Sequence, residues 1–365
     1  MEENAEARED MILGLIALTS DLPTKLLHLL PGSVEWSQKT VRTLERDKLL
    51  KRHQKNGITS LRLTKRGRDM LIHAFPERFA PLFTDAYLAR CRKSDPVSLE
   101  RMHRAAAVNV LMQQAGTRLY PDEKPAVFAA TEAPVQLPPS PCFYSSLEVK
   151  ARGIELTRIQ ATRAMGVLLN GHGDGYLVYH TGASPLKWSS KAEQKLMGAV
   201  RGILLGRRAQ LTELQAVMIG SHMGTALDLL RSEGGHRRQN FRLDGTFPAF
   251  YFVPCDARGV RQVRLLGCPA ARETLTKLLR GGREVPKSPR YDCDALMDNM
   301  PVLFACEFDM EKLRRFRNGL ELFGEHGIVC CFDYQADCLA AYLDGLAQVR
   351  PVAAEKIEKE LTYGA

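Results

Sequence analysis

LLKRHQKNGITSLRL, residues 49–63, places two short runs of alternating residues on either side of Lys55-Asn56-Gly57. Asn-Gly readily takes the positive φ angles of a tight turn, so the stretch reads as a β-hairpin. Its second strand runs into LTKRGRDML, residues 63–71, where Thr64 stands ready to cap a following helix. Toward the N-terminus, Met11, Ile12, Leu15, Ile16 and Leu18 repeat with helical period, and Thr19, Ser20 and Asp21 interrupt them before Pro23. LPTKLLHLL reads as a short second helix that stops at Pro31-Gly32. Ser33 or Glu35 then opens a third helix, VEWSQKTVRTLERDKL, with Trp36, Val41, Leu44 and Leu49 as its apolar positions.

The exposed side of that third helix carries Gln38, Lys39, Arg42, Thr43 and Arg46, long donors and a hydroxyl of the kind that reaches base edges and phosphates from a major groove. Charge points the same way. The 365-residue chain has a formal charge of +9, and between Lys39 and Arg68 eleven Lys or Arg face only Glu45 and Asp47. The basicity is concentrated in one short segment, which makes a polyanion the expected partner.

Three helices, a basic hairpin and an LTxxG helix start, spanning residues 8–74, resemble the winged helix-turn-helix family of DNA-binding domains. The resemblance implies that the third helix enters the major groove and that the hairpin, through Lys51, Arg52, Lys55 and Arg62, contacts phosphate. The alternative at this point is a protein-docking module whose charges are merely solvated.

Further along, FAPLFTDAYLARC and VSLERMHRAAAVNVLMQQAG are helical by period. Six prolines between 121 and 141 then forbid continuous helix or central strand. Beyond them come FYSSLEVK (143–150), read as a strand, and MGVLLNGHGDGYLVYHTG, a hairpin around a Gly-rich turn. SSKAEQKLMGAVRGILL follows as an amphipathic helix.

HRAAAVNVLMQQAG, this hairpin and the helix after LKW, with His103, Gly166, Tyr179, Thr181, Gly182, Trp188 and Glu193, are similar to the replication-relaxation family of plasmids and conjugative elements. That resemblance spans residues 8–205 and implies a winged helix joined to a domain like the PD-(D/E)xK nucleases. In such a domain two carboxylates and a lysine converge on a metal-bound water. Met165-Gly166 and Tyr179-His180-Thr181 stand where the acidic residues would be, so the expectation is a degenerate, non-catalytic domain. A competing assignment takes Asp122, Glu148 and Lys150 as the nuclease triad with Mg²⁺, because a strand would put Glu148 and Lys150 on one face. Arg158 and Arg163 in ELTRIQATRAMG are candidates to extend the basic surface.

From residue 206 onward, short apolar strands alternate with helices, as in a small α/β layer structure. GSHMGT sits between a strand and a helix, where backbone amides can hold an anion, and it lacks a full phosphate-loop pattern. It carries an effector-sensing alternative. Asp292, Asp294, Asp298, Glu307 and Asp309 form an acidic cluster, and GGHRRQNFRLDG (234–245) is a second basic stretch with an aromatic in it.

The expected organisation is therefore a multidomain α+β and α/β protein. It comprises a winged helix (1–75), a helical spacer and Pro-rich linker (76–142), a nuclease-like α/β domain (143–205) and a C-terminal α/β domain (206–365). Nine cysteines without CxxC or zinc spacing, no apolar run near the roughly 20 residues of a membrane span and an acidic start point to a reducing, cytoplasmic setting. Expected partners are double-stranded DNA, a second copy of the chain and replication or conjugation proteins, with no membrane and no resident cofactor.

Overall fold

The hairpin at 49–63 seeds a three-stranded sheet in the N-terminal part of the chain. The computed structural model describes residues 2–55, 57–131, 133–150, 162–183, 186–234, 240–287, 290–361 and 363, with side chains from residue 8 onward. The protein is mixed α+β with three sheets, and it divides into two compact units, one ending at Val127 and one beginning at Phe128.

The first unit runs α1 (Glu2–Thr19), β1 (Leu22–Pro23), a 3-10 helix (Thr24–Leu29), α2 (Val34–Arg46), β2 (Leu50–Lys55), β3 (Ile58–Leu63), α3 (Lys65–Ala74), α4 (Pro76–Phe79), α5 (Asp85–Arg92) and α6 (Pro96–Gln114). The antiparallel strand order is β1-β3-β2. Lys55 pairs with Ile58, leaving a two-residue turn in which Gly57 has φ of +73° and Asn56 lies outside the described residues. The Ser33 hydroxyl accepts from Trp36 N at 3.1 Å to start α2, and Thr64 accepts from Gly67 N at 3.1 Å to start α3. Gly67 itself is required, since a Cβ there would sit 2.1 Å from the Leu49 carbonyl oxygen.

The helices expected as a spacer are part of this unit. α6 packs on α1 and buries Leu99, Met102, Ala106, Val110 and Leu111, each Leu or Met contributing about 1.5–3 kcal/mol. A domain ending at residue 75 would strand that apolar face in water, so the compact unit continues to Val127.

The second unit opens with β4 (Cys142–Ser145), a helical turn α7 over 146–150, β5 (Gly166–Leu169), β6 (Asp174–Gly182), α8 (Ser190–Gly206), β7 (Glu213–Gly220), α9 (Met223–Leu230) and β8 (Phe250–Pro254). The sheet order is β4-β5-β6-β7-β8, antiparallel through β6 and parallel from there to β8. α10 (Ala257–Gly267), α11 (Pro269–Arg280), β9 (Ala295–Met297), β10 (Met300–Phe304), α12 (Met310–Phe323), β11 (Gly327–Phe332), α13 (Ala336–Leu343), β12 (Ala347–Val352) and α14 (Ala354–Glu360) complete it, with strand order β12-β11-β10-β9.

The boundary expected at 205/206 is absent, because β7 pairs along nearly the whole length of β6. The free edge of β8 is closed from the second sheet's side: Phe252 N donates to Phe308 O and Phe250 N to Asp309 Oδ1, both at 3.0 Å. An aromatic cluster fills the space beneath the first sheet, with Trp188 edge-on to Phe241 at 5.1 Å and to Tyr179 at 5.2 Å between ring centroids. The nine cysteines are free thiols. Among the described residues no helix is long and apolar enough to cross a membrane.

Candidate nucleic-acid interface

α2 buries Ser37, Thr40, Val41 and Leu44 and turns Gln38, Lys39, Arg42 and Arg46 to solvent, with Thr43 half-buried. This is the face expected from its period. Trp36, expected in the core, is 39% exposed and lies under the Arg8 guanidinium, 3.8 Å from its ring centroid, while Arg8 also donates to the Pro31 carbonyl. A cation stacked on the ring replaces burial as its packing.

Beside α2, β2 buries Leu50 and exposes Lys51, Arg52 and Lys55. Arg52 pairs with Glu45 at 2.7 Å and Arg46 with Asp47 at 3.2 Å, both on the surface, where such pairs contribute about 0–1 kcal/mol and leave the local potential positive. Lys48, Lys65 and Arg66, unassigned from sequence, are exposed next to these residues. The signal for them was the charge run itself. Among the described residues, nine exposed cations thus stand between Lys39 and Arg66 against Glu45 and Asp47.

Arg62 is the correction. It is buried, and its Nε and Nη2 donate to Asp21 Oδ2 at 2.8 and 2.5 Å while Nη1 donates to the Cys91 carbonyl at 2.7 Å. With Asp21 and the Cys91 carbonyl of α5 as its partners, this guanidinium ties strand to helix and cannot reach phosphate. Asp21 is fully buried, and His103 Nε2 lies 3.5 Å from its other oxygen, with His53 4.0 Å from Oδ2. Burial alone would push the Asp21 carboxyl up, but hydrogen bonds from His103, Ser60 and Arg62 and the Arg62 charge bring it below the ordinary range. Burial followed by the Arg62 charge lowers the His53 pKa.

The strand face expected to carry Glu148 and Lys150 is not formed. Asp122, in the first unit, pairs with Arg78 at 2.9 Å, and Arg78 lies over the Tyr120 ring. FYSSLEVK is a strand only to Ser145; from 146 to 150 it is helical, which removes the shared strand face of Glu148 and Lys150. Glu148 Oε2 accepts from Ser145 N at 2.7 Å while Ser145 Oγ accepts from Glu148 N at 3.4 Å. This reciprocal pair is a capping box, and its S-x-x-E signature is present in SSLE. Glu148→Ala should therefore cost the second unit about 0.3–1.5 kcal/mol in urea unfolding.

In the β5–β6 hairpin, Tyr179 is buried and donates from its hydroxyl to Glu193 Oε2 at 2.8 Å; Thr162 Oγ1 donates to the same oxygen at 2.7 Å and Arg163 N to Oε1 at 2.9 Å. Burial raises the Glu193 carboxyl against the lowering effect of these bonds. A folded-state pKa above the unfolded one favours the fold at low pH, and that contribution is lost as pH rises through the folded value. Stability of wild type relative to Glu193→Gln should then fall as pH rises above the ordinary glutamate value of about 4.3, as read by urea unfolding across a pH series. Arg158 lies outside the described residues, and Arg163 gives its backbone N–H to this buried carboxylate.

The remaining candidates are structural. In GSHMGT, Ser221 N extends the β6–β7 pairing by donating to Gly182 O, and Thr225 N donates to His222 O in the first turn of α9. Asp292 pairs with Arg315, Asp294 with Lys312 and Glu307 with Arg272, while Asp309 caps α12. Among the described residues no group of three or more His, Cys, Asp or Glu could hold a metal ion. In GGHRRQNFRLDG, residues 235–239 lie outside the described residues, and Phe241 is wholly buried against Trp188, so it cannot stack on a base. No family model matches this chain, and no curated protein or solved structure does.

Proposed function

We propose that this chain is a non-catalytic, double-stranded DNA-binding protein that uses α2 as a recognition helix and the β2–β3 hairpin as a wing, in the manner of winged helix-turn-helix proteins. The observation that carries the proposal is the exposed cationic face of α2, continuous with a basic hairpin and lightly countered by acid. Gln38 and Arg42 have the side chains that read adenine and guanine edges bidentately, and Lys39, Lys51 and Lys55 are suited to phosphate. The setting that fits the sequence likeness is a mobile genetic element, with a role in its replication, transfer or transcriptional control. A metal-dependent nuclease reading drew its support from Glu148 and Lys150 sharing a strand face, and it loses that support.

Duplex affinity of the full chain across a salt series tests the proposal. Each neutralised phosphate releases counterions, so log K should fall with log salt at a slope of about −0.9 per contact, or about −4 to −6 for five or six contacts. A flat response overturns it.

A further inference from the structure

The second unit contains a cleft of about 440 Å³ that the DNA proposal does not use. It lies at the carboxyl end of β10, the side on which open α/β sheets hold their ligands, and its volume falls within the range of small-molecule sites. Its charged wall consists of Asp174, Glu273, Asp294 and Glu307 against Arg272 and Lys312. The wall is thus acidic in a chain whose formal charge is +9.

Three of these carboxylates are committed to cations. Glu307 takes Arg272 in a two-pronged pair at 2.9 and 3.0 Å, and Asp294 accepts from Lys312 at 2.6 Å and from Phe304 N at 2.7 Å. Glu273 pairs with Lys277 on the exposed side of α11. Asp174 differs: its carboxylate accepts only a 3.3 Å bond from Asn170 Nδ2, and it has no ion pair among the described residues. Leu275, Leu279 and Phe304 supply an apolar wall.

An acidic, mostly polar cleft with one apolar side and one uncommitted carboxylate suits a positive group on a short carbon chain. Both fixed cations are already held by carboxylates, so a phosphate would have to displace an existing pair. A lone metal ion is poorly matched as well, since no three His, Cys, Asp or Glu among the described residues converge on one point.

We propose that this cleft binds a small aliphatic amine, with an ammonium on Asp174 and its methylenes along Leu275 and Phe304. The inference is independent of DNA binding.

The test is calorimetric titration and thermal denaturation of the full chain with putrescine and spermidine, and separately with inorganic phosphate and AMP. At saturating amine the melting temperature should rise by about 2 °C or more, because ligand held only by the native state stabilises it. Asp174→Asn, which keeps the size of the side chain, should weaken amine binding about tenfold or more, as a charged hydrogen bond is lost. Lys312→Met removes a cation and should strengthen it. Failure of both amines to bind, binding indifferent to both variants, or binding of phosphate or AMP in their place would each overturn the proposal.

Discussion

Replacing Arg62 with alanine should lower the stability of the N-terminal unit by about 3–5 kcal/mol, because the Asp21 carboxylate is left buried without its cation. The loss comes from desolvation more than from the missing attraction. Consequently Arg62→Met combined with Asp21→Asn, which removes both charges, should recover a large part of it. Urea unfolding of the three proteins checks this, and a loss below about 1 kcal/mol for Arg62→Ala would mean that the pair is not buried in solution.

The same substitution has a signed pH consequence. Asp21 is held below its ordinary value in the fold, so its contribution is present above the unfolded carboxyl pKa of about 3.9 and is lost as pH falls through the lower folded value. Without Arg62 the burial effect gains weight and raises the carboxyl. Acid unfolding of Arg62→Ala should therefore begin at a higher pH than that of wild type.

The second large effect concerns α2. Arg42→Ala should cost about 1–3 kcal/mol in binding to a preferred duplex, roughly 5- to 150-fold in Kd, and should relax preference at one base position. Lys39→Ala should instead weaken all duplexes similarly and make the salt slope shallower by about 1. Both residues are exposed, so neither change should move stability by more than about 0.5 kcal/mol. Competition binding at several salt concentrations distinguishes them. Unchanged affinity in both variants would direct the search for the interface away from α2.

Much of the N-terminal architecture was legible because its determinants are local. Ser33 and Thr64 cap helices within three residues of themselves, and Gly57 takes the positive φ of the hairpin turn. The capping box at Ser145 and Glu148 is equally local, and its pattern stood in the sequence. The alternation in FYSSLEVK competed with it and pointed to a strand. In the fold the cap prevails, because its two hydrogen bonds decide where the backbone turns helical.

By itself, then, the sequence determined the α2 helix and its solvent-facing donors, the hairpin with its tight turn, and the density of charge around them. Each depends on contacts a few residues apart. Only the tertiary structure decided that Arg62 points inward, since its partner Asp21 is 41 residues away and the covering carbonyl of Cys91 is 29 away. It also decided that strands assigned to separate domains share one sheet, and that a cleft forms where α11 meets the end of β10. Pairing at such separations is set by which apolar faces can be buried together, a property of the assembled core that no short stretch of sequence contains.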